Sequence, residues 1–245
     1  MKRWQYEPAA DLDQNVIERL RNFPRQPDML VYGIRSCLAL IIRALLRTYC
    51  RFEIVGEEHL RSNRSFVLVA NHSSHLDTVC LLAGLPLRRL HRAFPAAAAD
   101  YFFKSVPRTW IATVIVNALP FARQTHVRHS LAICGELMAN AGNVLIIFPE
   151  GTRSRTGELQ EFKPGIGALV AGCDVPVLPC YLDGAHRAWP KGKRIPRPRK
   201  VRLIIGEPRN YASMPPDKNS NAVIAAELRA AVQQLAEKHA GRPNL

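Results

Sequence analysis

Phe66-Val67-Leu68-Val69-Ala70-Asn71-His72-Ser73-Ser74-His75-Leu76-Asp77 passes from five apolar residues directly into a polar cluster. An apolar run of that length without alternation reads as a strand buried on both faces, the environment of a parallel sheet. Residues 78–85 then take helical spacing and stop at Gly84-Leu85-Pro86, with Ser74 as a candidate N-cap. The unit is strand, turn and helix, and the turn carries the polar residues.

Working outward, the pattern recurs. Residues 52–55, 114–121, 144–148, 175–181 and 201–205 read as strands; 125–141, 164–172 and 221–240 read as helices, with Gly142 placed to end the first. Apolar strands alternating with helices predict an α/β fold, a mixed and largely parallel sheet flanked by helices, with sites beyond the strand ends. The chain divides into an N-terminal helical membrane-interface segment, 1–50, and a catalytic domain, 51–245. In the first, a short polar helix over 11–23 and a break at Pro24 and Pro27 precede an apolar stretch, 29–50.

That stretch is interrupted by Arg35, Arg43 and Arg47, so it lacks the roughly 18 uninterrupted apolar residues of a spanning helix. At 100° per residue the arginines fall within an arc of about 120°, and Ile34, Leu38, Ile41, Ile42 and Leu45 take the other side. Two readings follow. The amphipathic helix lies in a membrane interface with its arginines toward lipid phosphates, or it packs its apolar face on the domain.

Lys and Arg total 34 against 20 Asp and Glu, a net charge of +14 that calls for an anionic partner. Lys191, Lys193, Arg194, Arg197, Arg199, Lys200 and Arg202 supply half of it within 189–202, a stretch without an acid whose prolines favour a loop. It suits anionic headgroups or the acidic surface of an acyl carrier protein. The six cysteines form no CxxC pair and read as free thiols in a reducing compartment. The first two dozen residues lack the apolar core of a signal peptide, which argues against export.

His72 and Asp77 stand five residues apart across the strand-to-helix turn. A carboxylate folding back onto one ring nitrogen fixes the tautomer and leaves the other nitrogen free to take a proton, which makes a general base. The same residues also fit a plainer pattern, a capping box of Ser74 and Asp77 beside a histidine that merely ends a strand. His72 and His75 have no third ligand at metal spacing, so no metal is expected. A serine hydrolase would carry a G-x-S-x-G elbow, absent here.

The second cluster, Phe148-Pro149-Glu150-Gly151-Thr152-Arg153-Ser154, also ends an apolar run and should emerge at the same sheet edge. Arg153 suits bidentate phosphate binding, Gly151 permits close backbone approach, Thr152 and Ser154 can donate, and Glu150 can accept from a hydroxyl. A P-loop is excluded by spacing.

Together these stretches resemble the glycerol-phosphate and 1-acyl-sn-glycerol-3-phosphate (lysophosphatidic acid) acyltransferases. The first family pattern, N-H-x-x-x-x-D, is Asn71 to Asp77, and the third, F-P-E-G-T-R-S, is unbroken at Phe148 to Ser154. The second, of the G-x-x-F-I-x-R type, is looser in Asn117-Ala118-Leu119-Pro120-Phe121-Ala122-Arg123, where Asn stands for Gly. The fourth is Val175-Pro176-Val177-Leu178-Pro179. The resemblance implies that His72 is the base and Asp77 its orienter. Arg123, Glu150, Gly151, Thr152, Arg153 and Lys163 would hold the acceptor. It further implies an acyl-CoA or acyl carrier protein donor, no cofactor, and a lysophospholipid acceptor, most simply 1-acyl-sn-glycerol-3-phosphate. The enzyme would be peripheral or monotopic on the cytoplasmic face of an anionic membrane. Backbone N–H groups near the helix after the first cluster would stabilise the oxyanion.

Three other readings remain at this point: acylation of another lyso-lipid such as lyso-ornithine lipid, a hydrolase spending the dyad on water, and a non-enzymatic basic protein binding membrane or nucleic acid. The last leaves both polar clusters unexplained. No aromatic interleaving accompanies the basic run, so nucleic acid is not an expected partner.

Overall fold

The computed structural model describes residues 29–98, 115–121 and 127–240. The expected helix over 11–23 lies outside them. Among the described residues seven strands form one sheet: β1 (Glu53–Val55), β2 (Phe66–Ala70), β3 (Ala93–Ala98), β4 (Leu119–Phe121), β5 (Val144–Ile147), β6 (Val177–Asp183) and β7 (Arg202–Ile205). Their order is β1-β7-β6-β2-β5-β3-β4, and every neighbouring pair is parallel except β6 with β7. The helices are α1 (Met29–Tyr49), α2 (Asp77–Gly84), α3 (Val127–Ala139), α4 (Gly165–Val170), α5 (Ala185–Ala188) and α6 (Lys218–Ala240). The sheet is mixed and largely parallel, as the sequence predicts.

β2 is central, and the reason is its composition. Phe66, Leu68 and Ala70 point into a core shared with Leu46 of α1 and Cys80 and Leu81 of α2. Val67 and Val69 point the other way, onto Ile166 of α4 and Ile224 and Leu228 of α6. With both faces covered, neither set can be polar.

α1 turns a mixed face to the domain. Arg35 is buried, and Arg43 donates to the Leu85 carbonyl at the end of α2. Met29, Leu30, Leu40, Ile41, Leu45 and Tyr49 are exposed. Arg35 and Arg43 therefore turn toward the domain together with Ala39, Ile42 and Leu46, whereas Arg47 and much of the apolar side face outward. Burial pushes the Arg35 and Arg43 guanidinium pKa values down, which is tolerable because a guanidinium stays charged regardless.

One strand was not expected, and among the boundaries that differ are those of β4 and α6. β3, with sequence Ala-Phe-Pro-Ala-Ala-Ala, has almost no intrinsic strand preference and is not legible locally. It forms because β5 pairs with Ala93 to Pro95 and β4 with Ala96 to Ala98, so Pro95 sits where pairing passes from one neighbour to the other. Within 115–121 only Leu119–Phe121 is strand. α6 begins earlier than expected because Asp217 Oδ1 accepts the Ser220 amide at 2.7 Å, a side-chain cap that starts the helix at Lys218.

Candidate active site

β2 and β5 are parallel neighbours in register from Phe66 with Val144 to Val69 with Ile147. Their C-terminal ends therefore open side by side, which brings the two polar clusters together across a sequence gap of more than seventy residues. Asn71 closes the end of β2: its side chain donates to the Leu182 carbonyl at 3.3 Å and accepts the Leu182 amide at 2.8 Å, fixing the turn against β6.

The next residue is His72, whose Nδ1 lies 2.9 Å from Asp77 Oδ2. A carboxylate only accepts, so Nδ1 carries the proton and donates, and Nε2 is left with a free lone pair. The ring stacks on Phe148, centroids 4.1 Å apart and planes 18° from parallel. The His72 side chain is 21% exposed while Asp77 is fully buried, so the imidazole alone of the pair reaches solvent.

Asp77 Oδ2 also accepts the amides of Ser73 and Ser74, each at 2.7 Å. The bond to the Ser74 amide is half of a capping box, so the plain and the chemical patterns coexist in one carboxylate oxygen. The Ser74 hydroxyl does not reach the Asp77 amide. It accepts from the Leu76 amide at 3.0 Å and donates to the Trp189 carbonyl at 2.7 Å. With the His75 amide directed at Trp189 O, all four amides from Ser73 to Leu76 are engaged. These four amides of the turn are thus engaged within the fold rather than directed at a substrate.

The second cluster grips the backbone of His72 on both sides. Glu150 Oε1 accepts the His72 amide at 2.9 Å, and the Ser154 amide donates to the His72 carbonyl at 2.7 Å. Glu150 is buried and turned under the histidine rather than toward solvent. Burial pushes its carboxyl pKa up to about 7; the amides of His72 and Gln160 oppose that, and the nearby Asp77 charge adds to it.

The other expected residues lie on the open side. Gly151 has φ +74, and a Cβ there would meet Lys163 Nζ at 2.7 Å, so the lysine stem lies against the bare glycine. Thr152 is exposed. Arg153 Nη1 lies 2.6 and 2.8 Å from the two ring nitrogens of His75. Burial, then the Arg153 charge, then His72 hold the His75 imidazole pKa below its ordinary value, so a neutral ring accepts from the guanidinium. Among the described residues no carboxylate pairs with Arg153 or Lys163. Arg153 on the turn and Lys163 against Gly151 are thus two cations without a carboxylate partner among the described residues. Arg123 lies outside the described residues.

Asn117, where the second pattern departs from Gly, has φ +57. That is the left-handed conformation which glycine adopts freely and asparagine tolerates best among the rest. Its side-chain amide also donates to the carbonyls of His91 at 3.2 Å and Ala93 at 3.1 Å, so the substitution keeps the turn and adds two bonds.

Trp189 was not legible as part of this site. It holds the Ser74 hydroxyl from 115 residues away, and its ring lies 5.2 Å from that of His75. Only its place beside the basic run marks it in the sequence. Among the described residues no three His, Cys, Asp or Glu side chains converge to hold a metal ion.

A family model described as Acyltransferase matches residues 51–183. The chain is 28% identical over 193 residues to a 1-acyl-sn-glycerol-3-phosphate acyltransferase of Chlamydomonas reinhardtii, covering 76% of this chain and 54% of that one. It is 26% identical over 190 residues to the protein of that name from Bacillus subtilis, covering 76% and 88% respectively. The chain thus spans about half the length of the algal relative. Its fold is similar to the crystal structure of the 1-acyl-sn-glycerophosphate (LPA) acyltransferase PlsC from Thermotoga maritima, with TM-score 0.69, 24% identity, and coverage of 91% of this chain and 87% of that one.

Proposed function

We propose, from the premise that the chain belongs to the acyltransferase family, that it moves a fatty-acyl group from acyl-CoA or acyl carrier protein to the free hydroxyl of 1-acyl-sn-glycerol-3-phosphate. His72 Nε2 takes the hydroxyl proton as the oxygen attacks the thioester carbonyl. Collapse of the tetrahedral adduct expels the thiolate, which takes that proton from His72, so no acyl-enzyme forms. Asp77 holds the tautomer and the positive charge that His72 briefly carries.

One observation carries the reading: a histidine oriented by a buried carboxylate lies at the end of β2, next to the turn after β5 where Arg153 and Lys163, neither with a carboxylate partner among the described residues, converge. The base suits a hydroxyl, and the cations suit a phosphate three carbons or fewer away from it. Arg123 joins them in this proposal. Thr152 and the Gly151 backbone complete the anion turn, and Glu150 serves by positioning His72. The relatives' printed names support the same acceptor.

In this proposal the acyl chain uses the seam between α1 and α2, where Leu38, Ala39, Ile42, Val79 and Leu82, with Arg35 beside them, line a cavity of about 50 Å³ that must widen to accept it. The exposed apolar side of α1, a helix of 21 residues and mean hydropathy 1.8, rests in this proposal on the cytoplasmic face of a membrane. The test is thioester release from acyl-CoA with 1-acyl-sn-glycerol-3-phosphate, followed by lipid mass spectrometry. Phosphatidic acid is expected from wild type and not from His72→Ala, and equal turnover by the two would overturn the mechanism.

A further inference from the structure

We infer that the 191–199 loop is a second membrane-contact surface, an apolar tip ringed by cations that docks on an anionic lipid bilayer beside the apolar side of α1. This rests on the reading that the acceptor is drawn from a bilayer.

The loop is the largest concentration of positive charge in the chain, and the structure sorts that charge. Arg202 pairs with Asp183 at 2.7 Å and Lys200 with Glu53 at 2.8 Å, so those two belong to the domain. Lys191, Lys193, Arg194, Arg197 and Arg199 are exposed, and none has a carboxylate partner among the described residues. Between them Ile195 is 76% exposed, the most exposed large apolar residue outside α1 among the described residues. A solvated basic loop has no use for an isoleucine at its tip, whereas an interfacial loop gains from inserting one while its cations meet phosphates.

The tip is built rather than loose. The Trp189 indole donates to the Lys193 carbonyl at 2.8 Å, the Lys193 amide to Pro190 O at 3.2 Å, and the Arg197 amide to Ala188 O at 2.7 Å. It also adjoins α1: the Tyr49 hydroxyl, at the end of the exposed stripe through Ile41 and Leu45, donates to Pro196 O at 3.0 Å. Tip and stripe are therefore one continuous surface. At its base, Trp189 O takes the Ser74 hydroxyl, so the turn that carries His72 is fastened to the element that meets the lipid.

An acidic protein partner would use the cations but not the isoleucine, and the test separates them. The full chain is co-sedimented with vesicles of phosphatidylglycerol or of phosphatidylcholine, in low and high salt, as wild type, as Ile195→Asp, and as the triple variant Lys191→Gln, Lys193→Gln, Arg194→Gln. Binding is expected to favour phosphatidylglycerol and to weaken in salt. It should fall on the order of tenfold in Ile195→Asp, and about fivefold per lost cation in the triple variant. All these sites are exposed, and unchanged circular dichroism spectra show that the variants fold. Wild-type vesicle binding by both variants overturns the proposal. So does a triple variant that binds vesicles normally but loses turnover with acyl carrier protein as donor. Vesicle binding is read without turnover, so absence of acyl transfer by wild type would refute the function above and leave this result standing.

Discussion

Glu150 Oε1 accepts the backbone N–H of His72 at 2.9 Å, which joins the turns after β5 and β2 through a carboxyl with almost no access to water. The pH dependence of stability follows. In the unfolded chain this carboxyl ionises in its ordinary range, but in the folded protein only near pH 7. Its contribution is complete below the ordinary range and is lost as pH rises toward about 7. The loss is on the order of 2–3 kcal/mol. Glu150→Gln keeps the acceptor for the His72 amide and should be flatter than wild type between pH 4.5 and 7 in urea titrations; parallel pH profiles would refute the account.

Asp77→Asn leaves one neutral oxygen where a carboxylate now takes three N–H donors. We expect kcat to fall by about 10²–10⁴ and stability by about 2–3 kcal/mol. A variant that melts like wild type and turns over within tenfold of it would remove Asp77 from its proposed role.

Arg153→Met and Lys163→Met each withdraw a cation from the anion turn while leaving His72 in place. The KM for a phosphorylated acceptor should rise about tenfold in each, with the KM for acyl donor unchanged. An equal rise for both substrates would mean that the turn does not single out the acceptor.

Gly151→Ala forces a side chain into a left-handed residue and into Lys163. The lysine can swing away but the backbone cannot relax as easily, so we expect a stability loss of about 1–2 kcal/mol with a higher acceptor KM. Calorimetry and initial rates read the two effects separately.

Asn117→Ala keeps the left-handed strain and removes the donors to His91 O and Ala93 O. Asn117→Gly removes the donors alone. The expected order of stability is wild type, Gly, then Ala, with Ala lower by about 2 kcal/mol. Ala more stable than Gly would show that the turn does not require this conformation.

How far the site could be read in advance depends on the distances along the chain. His72 and Asp77 are close enough in sequence for the turn geometry to set their contact, and the capping pattern that competed with the dyad proved to share its oxygen. The pairing of the two polar clusters was legible as well, because each ends an apolar run and parallel strands end on one side. β3 was not, since alanines and a proline carry no strand preference and the pairing comes entirely from β4 and β5. Arg123 remains a reading of the sequence.

The amphipathic helix marks the boundary most clearly. Its periodicity fixed that 29–49 would be helical and that its arginines would share one side, because backbone geometry alone spaces residues around a helix. Which side faces the domain depends on what the domain offers. Here a carbonyl at the end of α2 receives Arg43 and the core receives Ile42 and Leu46, leaving Arg47 and the stripe through Ile41 and Leu45 outside. Trp189 at Ser74 and Pro196 at Tyr49 are likewise contacts between segments more than a hundred residues apart. Local spacing settles what the backbone's own repeat imposes. The partner of each face is settled by the packing of distant surfaces, whose energies no short stretch of chain contains.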